Sequence, residues 1–167
     1  MRKLFYPTLV MMVFLGLAVT GGAVLAQSQL TITSAEQKID YGKGIITYTG
    51  DVQVKREGFT LRAEEVEVYL TKENTLDKIL ARGGVNFIEK LGKRQANCDS
   101  AVYTSVEETV TLQGNVRYQD ELGNELTAQQ IIIWLLEEKL KATGNPVSAT
   151  LISWGEGKSD STGGESK

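Results

Sequence analysis

The chain contains no histidine. That removes the commonest general base, the commonest metal ligand and every Ser–His or Cys–His catalytic pair. It has one cysteine, Cys98, so no framework of paired disulfides holds it together. Nothing beside Cys98 suggests activation, and it reads as a small half-buried residue rather than a reactive thiol. Proline is almost missing: only Pro7 and Pro146 occur, as expected of a chain that needs backbone donors throughout a sheet. Glycines come singly or in pairs, never at the spacing of a phosphate-binding loop. Basic residues are outnumbered. Without Arg2 and Lys3, 16 basic residues face 21 acidic ones, a net charge of −5, which argues against nucleic acid as a partner. The composition implies no cofactor and no metal. It leaves a carboxylate-only glycosidase open, with Glu64, Glu65 and Glu67 as the densest acidic group. Val66 and Val68 interleave with these, which favours a solvated strand face over a metal or catalytic site.

What is present begins with a basic start, Arg2-Lys3, and an uncharged run from Leu4 to Ala26. Small residues at Val24 and Ala26 fit a signal-peptide cleavage point, so residues 1–26 are expected to be removed on export. An uncleaved membrane anchor is the rival, since the run is long enough to span a bilayer. Gln27 stands where a lipoprotein would need cysteine. The folded domain is expected over 27–154, and the polar Gly/Ser stretch 155–167 as a disordered tail.

The domain repeats. Gly-x-Val recurs at Gly50, Gly83 and Gly114, with a looser copy at Gly144, in steps of 33, 31 and 30 residues. Between these lie Ala63-Glu64…Tyr69, Ala96-Asn97…Tyr103 and Ala128-Gln129…Trp134, with Ala35-Glu36…Tyr41 as a half copy. Around each glycine the residues alternate, as in Ile46, Tyr48, Gly50, Val52, Val54 and in Val110, Leu112, Gly114, Val116, Tyr118. That is the period of a half-buried strand. A glycine on the inward side of a strand marks a bulge, a bend or a close approach. Val66 and Val68 have switched parity relative to Phe59, Leu61 and Ala63, which predicts a bulge beside the alanine. The segment Thr127–Ala142 can also be drawn as an amphipathic helix, but its counterpart Cys98–Gly114 is rich in Thr, Val and Tyr and gives a poor helical face. Equivalent units should share one conformation, so strands are expected throughout. They should form short antiparallel runs stacked in layers of about thirty residues, each hiding its apolar face behind the next.

The Gly-x-Val units, "LRAEEVEVYL", "ILARGGVNF" and the signal peptide resemble the OstA-like family of periplasmic lipopolysaccharide-transport bridge proteins, over roughly Leu30 to Leu151. The resemblance implies an all-β, twisted, slightly open β-jelly-roll around an apolar groove. It also implies a cargo of lipopolysaccharide or a related glycolipid, and end-to-end joining to copies of itself and to related domains of membrane components. The family's "AD" motif keeps its acid here only in Glu36 and Glu64, with Asn97 and Gln129 in the later units.

The inward parity set supplies the candidate groove lining: Val52, Val54, Leu61, Val66, Val68, Ala81, Val85, Phe87, Leu112, Val116, Ile131 and Ile133. If the sheets splay, these residues line a groove; if they close, they fill a core. A stack of strands also ends in edges with unpaired backbone groups. Leu30 and Ile32 at one end, and Val147 and Leu151 at the other, lie in uncharged stretches expected to accept another sheet by strand addition. Lys55, Arg56, Lys93 and Arg94 fall in hairpin loops, where they could meet headgroup phosphates or simply be solvated.

Overall fold

The computed structural model describes residues 29–89 and 93–152; the expected signal peptide and polar tail lie outside them. The described residues form ten strands and no helix: β1 Thr31–Thr33, β2 Glu36–Asp40, β3 Ile45–Arg56, β4 Phe59–Leu70, β5 Leu76–Glu89, β6 Arg94–Thr104, β7 Thr109–Gln119, β8 Glu125–Trp134, β9 Lys139–Thr143 and β10 Ser148–Thr150. The helical alternative over Thr127–Ala142 is thereby replaced by β8, a turn and β9. All neighbours are antiparallel, in the order β1-β3-β4-β5-β6-β7-β8-β10, with β2 also on β3 and β9 also on β8.

The expected short strands are instead long ones that bend. The register shifts between Thr49 and Val52, Arg62 and Glu65, Arg82 and Val85, Asn97 and Ser100, and Gln113 and Val116. Each shift is a bulge, and the bulges line up across the sheet into one hinge line. At three of them two successive residues have positive φ: Gly50-Asp51, Gly83-Gly84 and Gly114-Asn115. Gly, Asn and Asp are the residues that enter this left-handed region at least cost. A bulge of this kind bends a strand while leaving ladders on both sides intact, which is why the strand continues rather than ending.

The hinge line divides the sheet into two half-sheets. Sheet I runs from β1, on Gln53–Lys55 of β3, to β10, on Glu125–Thr127 of β8. Sheet II runs from β2, on Ile45–Thr49 of β3, to β9, on Gln130–Trp134 of β8. The core sits between them. Phe59 of sheet I stands 5.3 Å from Tyr103 of sheet II, ring to ring. The edge strands do not meet, so this is a folded-over open sheet, a slightly open β-jelly-roll.

The glycines do not point into the core as parity suggested. A Cβ on Gly83 would fall 2.8 Å from the Cβ of Glu64, and one on Gly114 would fall 2.8 Å from the Cβ of Asp99. Both acids are exposed. The neighbouring strand thus crosses the hinge in contact with the bare backbone. Asp99, not Asn97, is the counterpart of Glu64, and Cys98 pairs with Val85 as Ala63 pairs with Val52 and Ala128 with Val116. The acid after the small residue is therefore kept in the second full unit. The same two-residue offset makes Tyr103 the counterpart of Val68 and Ile133, an inward residue, whereas Tyr69 and Trp134 face outward.

Candidate functional site

The seam between the half-sheets collects all twelve residues of the inward set. Val52, Val54, Leu61, Val85, Phe87 and Val116 come from sheet I; Val66, Val68, Ala81, Leu112, Ile131 and Ile133 come from sheet II. Each is 0–4 % exposed, and all belong to one apolar cluster. The seam is filled by its own side chains. The candidate lining left out several large members, among them Phe59 and Val110, which share the parity of Leu61 and Leu112, and Ile79 and Tyr103. The signal for Tyr103 was present: Ala96 and Cys98 alternate in one parity, Ala101 and Tyr103 in the other, the same switch that marks the bulge at Arg62/Glu65.

Packing loosens toward both ends of the seam. Leu30, Ile32, Ile46 and Tyr48 on the β1/β2 side, and Tyr118, Leu126, Leu140 and Ala142 on the β9/β10 side, are only partly buried against the core. Beyond them Ile39 and Val147 are 42 % and 43 % exposed and Leu151 is 74 % exposed. The apolar interior therefore reaches solvent at each end, next to an edge. Sequence reading found two edges, at β1 and β10. Among the described residues there are four: β2 and β9 close sheet II, and they carry Glu36, Lys38 and Asp40 on one and Lys139 and Lys141 on the other.

Among the described residues no cluster of three or more His, Cys, Asp or Glu could hold a metal ion. Glu65 and Glu67 lie on the outer face, where Arg82 reaches their carboxylates at 3.3 and 3.2 Å. These pairs are partly open to solvent and stabilise little. Burial pushes the Cys98 thiol up to about 11, so it is held neutral and unreactive. At pH 8 a thiol reagent is expected to modify native Cys98 about 100-fold more slowly than Cys98 of the chain unfolded in urea. Equal rates in a stopped-flow assay would contradict this burial.

A bidentate ion pair lies where the free rims of the two half-sheets approach, opposite the hinge. Arg56, at the end of β3, donates two hydrogen bonds of 2.7 Å to the carboxylate of Glu108 in the β6–β7 turn. The side chains are 13 % and 22 % exposed. Charge-assisted, bidentate pairs of this kind are the strong ones. The guanidinium holds the Glu108 carboxyl below its usual range, and Glu108 in turn raises Arg56. For a lowered carboxylate the stabilisation is full above the unfolded pKa. It is lost as pH falls through the native value, so this pair weakens only under acid conditions. The guanidinium also lies 4.9 Å over the Tyr103 ring. The Tyr103 hydroxyl is buried beside the Glu108 carboxylate, and its ionisation is pushed up mainly by desolvation. Glu108 has φ of +47°, a backbone state that costs a non-glycine residue about 1–2 kcal/mol.

The family model for the LptA/(LptD N-terminal domain) LPS transport protein matches residues 31–139. A solved structure with the same fold is that of LptH, the LptA-homologous periplasmic component of the lipopolysaccharide transport device of Pseudomonas aeruginosa. It superimposes with a TM-score of 0.67 at 15 % identity, over 75 % of this chain and 96 % of that one. The comparison with curated proteins yields no match.

Proposed function

Because the chain belongs to the LptA/LptD N-terminal-domain family of lipopolysaccharide-transport proteins, we propose that it is a periplasmic bridge protein. It carries lipopolysaccharide, or a related glycolipid, from inner to outer membrane along the seam between its half-sheets. The observation that carries this reading is an apolar interior that runs from the β1/β2 edges to the β9/β10 edges and meets solvent at both. A buried CH₂ is stabilised by about 0.8 kcal/mol, so an acyl chain of roughly a dozen carbons would cost on the order of 10 kcal/mol to leave bare in water. A continuous greasy lining meets that need; a reacting centre does not. In this reading the twelve seam residues contact the acyl chains when the sheets part. Photo-crosslinking amino acids placed at Leu61 and Ile131 are expected to capture glycolipid, while one at exposed Thr127 does not. Absence of adducts at both seam positions sinks the reading.

The tight packing of the seam favours a second reading, a structural β-domain with a closed core and no ligand. Native mass spectrometry after incubation with glycolipid separates the two. In the favoured reading residues 1–26 direct export and are cleaved; retention of that segment would make the protein a membrane-anchored component of the same machinery, which N-terminal sequencing decides.

The partners follow from the edges. Each half-sheet has eight strands of alternating direction. A second copy translated along the seam therefore brings its β10 antiparallel to β1 without rotation. Head-to-tail contacts of this type extend rather than close. Lysines and other charges guard edges against pairing. They guard β2 and β9, but β1 (TIT) and β10 (SAT) have none. Joining through sheet I, with Leu30, Ile32, Val147 and Leu151 at the junction, is the arrangement this asymmetry supports, to further copies or to related domains of membrane components. Ile32 itself packs against the core, so a charge there would disturb folding as well as assembly. The cleaner variant is Thr31→Lys with Thr33→Lys, both exposed. It should abolish multimers in sedimentation and cross-linking at an unchanged melting temperature; multimers that persist would refute strand addition at β1.

A further inference from the structure

We propose that the Arg56–Glu108 pair is a latch across the free rims of the half-sheets, and that acyl chains enter the seam sideways where it opens, between the β3–β4 and β6–β7 turns. This rests on the transport reading and adds a point of entry to it.

Four observations converge on this place. The pair joins residues 52 positions apart, and among ion pairs between described residues it is the one that spans from sheet I to sheet II. Beneath it lie the rings that hold the sheets together: Phe59 is 5.3 Å from Tyr103 and 5.7 Å from Phe87. Parting the rims must break the ion pair first and that stack next. Beside it a cleft of about 360 Å³ separates Glu57 and Gly58 on one rim from Leu135 and Leu136 on the other. Finally, two large apolar residues stand in solvent on the sheet II rim, Val106 at 87 % and Leu136 at 79 % exposure. They flank Glu108 and offer acyl chains a first contact outside the seam.

The backbone at Glu108 points the same way. Along this rim the left-handed turn position is held by Gly44, Asn74, Glu108 and Glu138. Glycine or asparagine would suit it better. Glu108 accepts the conformational cost and places its carboxylate on Arg56. The Tyr103 hydroxyl lies buried under the guanidinium and beside Glu108; once the latch is open it is a donor to an ester or amide carbonyl of the entering lipid.

The test follows the rims directly. On a Cys98→Ala background, nitroxides are attached at Glu57→Cys and Glu107→Cys, both exposed positions beside the latch, and their separation is measured by pulsed EPR. Uptake of a fluorescent rough-type lipopolysaccharide is followed in parallel. Loading should shift the 57–107 distances to longer values. Glu108→Gln and Glu108→Gly, the second of which also relaxes the turn, should show part of that shift without lipid and take up the probe about tenfold faster, as expected for loss of one charge-assisted pair. Arg56→Gln should behave like Glu108→Gln. If the probe loads while the 57–107 distance stays fixed and the variants load at the wild-type rate, entry is through the ends; the latch is then refuted and the conduit stands. If wild-type protein takes up no probe, the transport reading and the latch fall together.

Discussion

Replacing Phe87 by Ala is expected to destabilise the protein by about 3–5 kcal/mol, the usual loss for a fully buried aromatic. Phe87 is 0 % exposed and packs at 5.7 Å against Phe59, which in turn meets Tyr103 across the seam. It therefore supports the contact between half-sheets as well as its own ladder. The vacated space lies in the seam, and a partly collapsed cavity there is apolar. If acyl chains occupy the seam, glycolipid should refill that space. The melting temperature of Phe87→Ala should then rise more on lipid addition than that of the unmodified protein. Thermal unfolding followed by circular dichroism, with and without lipopolysaccharide, measures both quantities. A loss below about 1 kcal/mol would mean the rings are not packed as described, because such a value is typical of surface changes. A full loss with no differential rescue by lipid would leave the core intact and count against the seam as the lipid path.

Gly114→Val is the second large effect, expected at about 2–4 kcal/mol from a left-handed backbone and overpacking together. Gly114 has φ of +78°. A Cβ there would lie 2.8 Å from both the Cβ and the Cγ of Asp99. Rotating the Asp99 side chain moves its carboxyl but not its Cβ, so the strands themselves must separate at the hinge. Gly84→Asn is the control. Its φ of +57° resembles the +48° of Asn115, and nothing lies within 4 Å of a Cβ built on it. That change should cost less than about 1 kcal/mol. Urea unfolding of the two variants checks the contrast. Equal losses would show that strand-to-strand approach is not what reserves Gly114, and the account of the hinge would have to be abandoned.

Much of the architecture was legible before any coordinates. Alternation around Val52–Val54 and Val110–Val116 identifies strands, and the parity switch between Ala63 and Val66 identifies a bulge, because both depend on residues close in the chain. The residue after each glycine was an unused clue. Asp51, Gly84 and Asn115 are the three types that tolerate a left-handed backbone, so Gly-Asp, Gly-Gly and Gly-Asn announce a two-residue bend. The second unit was misaligned by two residues because Ala96 resembles Ala63 in identity, while the position is held by Cys98. Only the ladder Val85↔Cys98 corrects it.

The order of letters along this chain was enough to show that the domain repeats, that strands fit its units better than helices, that the strand after Phe59 bends beside Ala63, and which twelve side chains share the inner face. Those properties arise from backbone preferences and two-residue periodicity, which act over a few neighbouring positions. Three-dimensional packing decided the rest: that the strands pass unbroken through the hinge, that Asp99 faces Gly114, that charged β2 and β9 share the edges with uncharged β1 and β10, and that Arg56 meets Glu108 across the rims. Each of these depends on register or on contact between half-sheets, and a pairing of residues far apart leaves no local trace when either partner would be equally at home in solvent.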